Sequence, residues 1–291
     1  MIIDSHVHLF NRKIIENVSG KTDMVQRLGL CVEGAQERCE VGTLKQQMRR
    51  AGVDACLLLP TAAAKRVQKT NDLYWQYSQN TDGLFTAGTL HPAYPHNLEE
   101  IQRFKERGIK GIKLCSFSQG FALHEPAALE LFDLIRRENV RRENTFFVVL
   151  DTFYEAPRYF GALPRHITTP RRLGHLIEQF PEIPFIAAHM GGQSAPFEEI
   201  CKYLPAAPNL SLDTSNGLQT LSKQEFIHLL EIHGPEHILF GTDWPWFDPA
   251  AELPLVNAYL EEAGFSSKEK EAVCGGNIAR LLGKKGKERY E

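Results

Sequence analysis

Short apolar runs recur along the chain, each trailed by a longer stretch in which apolar residues return every three or four positions. The runs are IIDSHVH (2–8), DACLLLP (54–60), LFTAGTL (84–90), KGIKLCS (110–116), TFFVVLD (145–151), PFIAAHM (184–190), NLSLDTS (209–215) and HILFGTD (237–243). Brief and apolar, they read as buried strands. The stretches with helical spacing lie around 43–51, 69–80, 97–107, 126–138, 168–180, 195–204, 221–233 and 249–263. Strands alternating with helices predict a parallel sheet with crossover connections, and eight such pairs predict an α/β fold, the (β/α)8 TIM barrel.

Local signals mark the boundaries. Pro60, Pro92 and Gly191-Gly192 follow strands where the backbone must turn, and Thr43, Asn97 and Ser222 stand where a helix needs an N-cap oxygen. Residues 10–42, after the first strand, exceed the ~2–6 residues usual for such a connection and read as a long loop insertion, a lid candidate. Residues 266–283 read as one or two terminal helices on the barrel's outside or end, and the polar GKKGKERYE end as frayed. One barrel domain over 1–291 accounts for the whole length, since such barrels commonly reach about 250 residues or more.

Composition narrows the partners. With 43% hydrophobic residues, 24% charged residues and a formal charge of −3, nothing suggests nucleic acid. No run approaches ~18 apolar residues and no basic, then apolar, leader is seen, so a soluble cytoplasmic protein with no membrane association is expected. Six scattered cysteines without a C-x-x-C pair are expected to be free thiols; Cys31 and Cys39 share a polar stretch but lack the second pair that a structural metal site needs.

Polar residues collect at the strand ends. His6 and His8, two apart on a strand, project to one side, and Asp151, His189 and Asp243 end three other strands, at the face where barrels carry their chemistry. A lone histidine there is more often a hydrogen-bonded structural residue, but five imidazoles and carboxylates at one face suit a divalent cation such as Zn²⁺. His6, His8 and Asp243 supply the ligand types.

The motifs DSHVH, GIKGIKL, AAHMGG, LSLDTSN, LFGTDWP and GNIARLLG, in this order, closely resemble the amidohydrolase superfamily. The specific likeness is to the amidohydrolase 2 family, which includes aminocarboxymuconate-semialdehyde decarboxylase, resorcylate-type decarboxylases and pyrone-dicarboxylate lactonase. It covers nearly the full length apart from 10–42. The resemblance implies that His6 and His8 bind metal, that His189 contacts or polarises substrate, and that Asp243 binds metal or handles protons. Where the family usually has a ligating histidine after the fifth strand, this chain has Asp151. Asp151 then either ligates metal, serves as an acid/base group, or marks a site that has lost its metal. Lys113, on the fourth strand, is read as a charged group at the mouth in preference to a bridging ligand. His124, Tyr154, Arg158, Trp244 and Trp246 follow strand ends, and Lys113, Arg158 and Trp244 are the candidate substrate-binding residues.

The implied activity is metal-dependent hydrolysis of a small carboxylated ester, lactone or amide, with zinc, or alternatively manganese, as the cofactor. Asp243 would take the proton of a metal-activated water and His189 would stabilise the oxyanion. Non-oxidative decarboxylation on the same site is the alternative, and a catalytically silent metabolite-binding barrel is a third reading. A small molecule is the expected partner, and a homodimer is compatible with the sequence.

Overall fold

The structure, a computed structural model, describes residues 1–141 and 146–284. Thr145, at the head of the fifth apolar run, and the Lys-rich end beyond 284, expected to fray, lie outside the described residues. The eight runs form the staves of a barrel: β1 (Ile3–Val7), β2 (Ala55–Leu58), β3 (Leu84–Thr86) continued by β4 (Gly88–Thr89), β5 (Gly111–Leu114), β6 (Phe147–Leu150), β7 (Phe185–Ala187), β8 (Leu210–Asp213) and β9 (Ile238–Leu239). All pair in parallel with their neighbours in chain order, as two arcs, β1 to β3 and β4 to β9. The arcs meet within the third stave, where Ala87 still donates its N–H to Leu58 C=O at 2.9 Å. The closing seam joins the first and last staves: Ser5 N–H to Phe240 C=O at 2.9 Å, Asp243 N–H to His6 C=O at 2.9 Å and His8 N–H to Trp244 C=O at 2.8 Å. Gly241 permits this approach, since a Cβ there would lie 2.9 Å from that of His6.

Alternation divides the side chains. Cys56, Leu58, Ile112, Leu114, Val148 and Leu150 pack outward on the helical layer, while Leu57, Phe147, Val149, Ile186 and Leu239 fill the barrel. On that inward face Lys113 follows Gly111, Asp151 follows Val149 and Asp213 follows Ser211, so polar groups crown an apolar interior. β1 departs from strict alternation: Ile3 joins the interior cluster and Val7 the outer one, because a bulge puts one extra residue between Asp4 and Val7 against β2. Past that bulge His6 and His8 face the mouth. Bulges of this kind re-aim side chains beside active sites.

The helices run in order. In the insertion lie α1 (Arg12–Ser19), α2 (Thr22–Leu28) and α3 (Ala35–Arg38); the crossovers and returns are α4 (Val41–Ala51), α5 (Val67–Gln79), α6 (Asn97–Glu106), α7 (Ser116–Gln119), α8 (Pro126–Val140), α9 (Ala156–Phe160), α10 (Pro170–Gln179), α11 (Phe197–Tyr203), α12 (Gly217–Thr220), α13 (Lys223–His233) and α14 (Pro249–Glu262). Ser222 closes a full capping box with Glu225, as its position predicts. Thr43 instead lies inside α4, which begins two residues earlier, and Asn97 opens α6 without capping it; its amide donates to the His91 and Tyr94 carbonyls.

The stretch read as a loop, 10–42, contains three short helices. At eight, seven and four residues they are too brief for helical periodicity to stand out in a window of ~11–18 residues. Ile15, Val18, Met24, Leu28 and Ala35 give them a common core with Phe153, Ala156, Ile167, Trp246 and Phe247 from the barrel's mouth. At the opposite end α15 (Ser267–Glu271), a π-turn (Ala272–Gly276) and α16 (Asn277–Leu281) close the barrel. Ile278, Ala279 and Leu282 join the interior cluster, and Gly275 leaves room for the Met1 carbonyl, 2.3 Å from where a Cβ would stand. Among the described residues no helix is long and apolar enough to cross a membrane.

Candidate metal centre and active-site cavity

His8 Nδ1 lies 2.9 Å from the Leu59 carbonyl and His6 Nδ1 lies 2.8 Å from Asp213 Oδ2. Both partners are pure acceptors, so each Nδ1 carries the proton and each Nε2 presents a lone pair. Burial and then the Lys113 charge push the His6 pKa down to about 4, which keeps the ring neutral. The two Nε2 atoms are 3.1 Å apart, and Asp243 Oδ1 lies 3.3 Å from that of His8 and 3.7 Å from that of His6. Burial opposes the charge on Asp243, but the contact with His8 and the nearby rings of His6 and His189 hold its carboxyl below the usual range. Two lone pairs and an anion converging in a buried pocket repel one another unless a cation sits among them. The donor set therefore fits a divalent ion, and His6, His8 and Asp243 could hold it, their ligand atoms lying within 4.8 Å of one another.

A second group of three, His6, His189 and Asp213, is equally compact but already spent on hydrogen bonds. Asp213 Oδ2 accepts the His6 Nδ1–H, and Oδ1 accepts from the backbone N–H groups of His189 and Ser215 at 3.0 and 3.2 Å and from the Ser215 hydroxyl. Asn216 links the two sides of the site: its amide nitrogen donates to Asp243 Oδ2 at 2.8 Å and lies 3.0 Å from His189 Nδ1. That leaves the His189 Nε2 proton facing Asp151 Oδ2 at 3.5 Å. Burial disfavours charge on His189, yet the Asp151 contact, with Asp243 and Asp213 nearby, raises its pKa. His189, Asn216 and Asp243 all hold positive φ, at 57°, 56° and 62°. Non-glycine residues pay about 1–3 kcal/mol for such strain, and it gathers at functional sites.

Asp151 is drawn to a different partner set from the other acids. It meets His189 and, at 3.8 Å, Lys113 Nζ, and it does not join the three-donor group. Burial opposes its ionisation, but His189 and Lys113 hold its carboxyl well below the usual range. Lys113 lies buried with an ammonium that makes no hydrogen bond within the protein.

These groups open into a cavity of about 380 Å³. His8, Lys113, Asp151, His189, Gln193 and Asp243 form its polar end; Phe117, Phe153, Phe160 and Trp246 come from the barrel loops, and Phe10, Ile14, Val18, Met24, Leu28 and Leu30 from the insertion. Two candidates from the sequence fall outside. Arg158 is half-exposed, pairs with Asp23 at 2.8 Å and Glu155 at 3.3 Å, and does not line the cavity. Trp244 is buried in the layer beneath the helices with its indole N–H on the Arg38 carbonyl, and Trp246 lines the cavity in its place. His124 borders a separate groove with Arg171, Arg172 and His175, and Tyr154 is absent from the lining. Asp4, Asp213, Ser215 and Asn216 were not singled out by sequence. Asp4 accepts from the N–H groups of His6 and Thr242 and from the Thr242 hydroxyl, tying the first stave to the segment that delivers Asp243. The available signal was position: Asp213 ends a stave at the same face as the other polar residues.

The family model described as amidohydrolase (Amidohydro_2) matches residues 3–284. The chain belongs to the amidohydrolase 2 family. Solved structures with the same fold include 5-carboxyvanillate decarboxylase LigW from Sphingomonas paucimobilis, at TM-score 0.68 and 17% identity over 98% of this chain and 99% of that one. A probable 2-pyrone-4,6-dicarboxylic acid hydrolase from Acinetobacter baumannii aligns at TM-score 0.62 and 15% identity over 97% and 99%. The 5-carboxyvanillate decarboxylase LigW2 from Novosphingobium aromaticivorans, solved with bound manganese, aligns at 0.69 and 16% over 97% of each chain. No curated protein matches the chain. This amidohydrolase is an enzyme of a family whose neighbours include both decarboxylases and a hydrolase.

Proposed function

We propose that this amidohydrolase hydrolyses a small carboxylated ester, lactone or amide with the help of a divalent metal held by His6, His8 and Asp243. The observation that carries the reading is the placement of Asp243, whose one oxygen faces both unprotonated Nε2 atoms while Asn216 holds the other. A cation at that point supplies Lewis-acid polarisation of a substrate oxygen and offsets developing negative charge. Asp243, kept ionised, accepts the proton of the attacking water. His189 keeps a proton on Nε2 through Asp151 and offers it to the oxyanion or the leaving atom, a donor worth about 3 kcal/mol in comparable sites. Lys113 receives the substrate carboxylate, and the apolar walls, including those from residues 10–42 acting as a lid, exclude water.

Zinc suits two imidazoles and one carboxylate and is the metal we favour, with manganese as the alternative because a structural relative holds it. Elemental analysis of protein purified without chelator, followed by assay on a panel of lactones, esters, amides and aryl carboxylates, tests the proposal. A metal-free protein, or no hydrolysis of any member after metal loading, overturns it.

Decarboxylation is the second reading. The aromatic walls at Phe117, Phe153, Phe160 and Trp246 suit a flat unsaturated ring, and His189 could protonate the carbon that loses CO₂. CO₂ release from an aryl carboxylate, with esters untouched, would select it.

A further inference from the structure

Beside the active-site cavity, between the insertion and the start of α5, lies a second cavity of about 260 Å³ that the proposed reaction does not use. Phe10, Ile14 and Thr61 belong to the walls of both. Its body is apolar, made by Leu9, Phe10, Ile14, Leu59, Leu73 and Tyr74, and Ile14 and Leu73 leave hydrocarbon exposed there. Among the described residues that line it, the charged ones are Arg66 and Lys69, both exposed, and no acid accompanies them. Neither is ion-paired with a described residue. They also stand at the unfavourable end of a helix. Arg66 is the N-cap of α5, whose first turn holds no acid and whose end no side chain caps, so the partial positive charge of the helix end adds to theirs. Two unpaired cations beside an exposed apolar hollow are complementary to an anion carried on an apolar body.

We propose that this cavity is a second binding site, for a carboxylate on an apolar chain, with the anion at Arg66 and Lys69 and the chain against Leu59, Leu73 and Tyr74. The inference goes beyond the proposed reaction and does not depend on it. Phe10 also faces the active-site cavity and stacks on His8 with ring centroids 4.5 Å apart, so a ligand here touches the wall against which the substrate lies. The same chemistry has two sources, the far end of an elongated substrate that spans both cavities, or a separate acid bound beside it.

The test is NMR titration of the full chain, as purified, with octanoate and octanamide as probes. At one site octanoate is expected to bind at least about fivefold more tightly than octanamide, the scale of a charged hydrogen bond that water partly screens. The Arg66→Gln, Lys69→Gln double variant, changed only at exposed positions, should lose that preference and keep octanamide binding. Leu73→Glu, which puts an acid into the hollow, should weaken octanoate by a similar factor. Equal binding of the two probes to wild type overturns the proposal. So does a double variant in which every octanoate-binding event keeps its affinity, because the carboxylate then sits on Lys113 or the metal. A series of α,ω-dicarboxylates of increasing length separates the sources. One that binds with a stoichiometry of one, and is weakened both by the double variant and by Lys113→Met, supports the site as the far end of an elongated substrate. Octanoate bound together with an active-site ligand supports it as the place of a separate acid. Absence of hydrolysis would sink the proposed reaction and leave these binding results standing.

Discussion

Asp213 Oδ2 lies 2.8 Å from His6 Nδ1, and both side chains are fully buried. Residues 207 apart in the chain thereby fix one tautomer and one ring orientation. The same carboxylate receives the His189 N–H at 3.0 Å, so one acid on the eighth strand positions histidines from the first and seventh. Asp213→Asn is expected to weaken metal affinity by about 10–100-fold without unfolding the barrel, since an amide can present its N–H to Nδ1 and turn the ring's lone pair away from the site. Competitive chelator titration measures this, and unchanged affinity would refute the positioning role.

Asp243→Asn should abolish most turnover while circular dichroism stays native. An amide cannot accept the water proton, and general acid/base catalysis usually contributes ~10²–10⁴. Activity within about tenfold of wild type excludes the proton-transfer role.

Asp151→Ala should leave metal content unchanged, because Asp151 contacts His189 and Lys113 and does not join the donors that face the two Nε2 atoms. Turnover should fall by ~10² or more as His189 loses the partner that keeps its proton. Loss of metal in this variant would return Asp151 to the coordination shell.

Arg158 joins the insertion to the barrel. With Asp23 it spans α2 and α9, beside Arg27 to Glu155 at 3.2 Å and the Tyr159 hydroxyl to Asp23 at 3.2 Å. Exposed pairs are worth ~0–1 kcal/mol each, so Arg158→Ala should speed hydrogen exchange or proteolysis within 10–42 and change KM by up to about fivefold, with stability of the barrel unaffected. High salt should reproduce the effect in wild type. Identical exchange in the variant would dismiss the contact as a latch.

Glu252 supplies a pH dependence away from the site. Burial raises its pKa to about 7, with one oxygen accepting from Gln219 at 2.8 Å and the other unpaired. The folded state binds the extra proton, so its stability contribution is intact below about pH 4.5 and is lost as pH rises through 7, a change of about 1–3 kcal/mol. Glu252→Gln keeps the bond and offers a donor to the free Gln219 oxygen. It should raise Tm at pH 8.5 by about 2–4 °C per kcal/mol and barely change it at pH 4.5. A shift of equal size at both pH values would count against the titration.

The sequence by itself determined what depends on local periodicity: the eight apolar runs and their helices, the pairing of His6 with His8 on one side of a strand, and the arrival of Lys113, Asp151 and His189 at or just past the ends of other strands; Asp243, read as ending the last strand, instead lies on the loop beyond β9, which stops at Leu239. Those features repeat within a few residues, so neighbouring side chains reveal them. Only the tertiary structure decided which carboxylate meets which base. Asp213 ends β8, Asp151 directly follows β6 and Asp243 lies on the loop beyond β9, yet one faces the Nε2 pair, one holds His6 from behind and one serves His189, according to how each stave is set in the closed barrel. Trp244 and Trp246 make the same point at two residues' separation, one buried beneath the helices and the other lining the cavity, because β9 has ended at Leu239 and only Trp244 is held to the first stave, by an isolated bridge to Val7, so alternation no longer applies. The insertion's helices, too, exist through packing on Phe153, Trp246 and Phe247, an apolar surface that forms only once the barrel has brought those loops together.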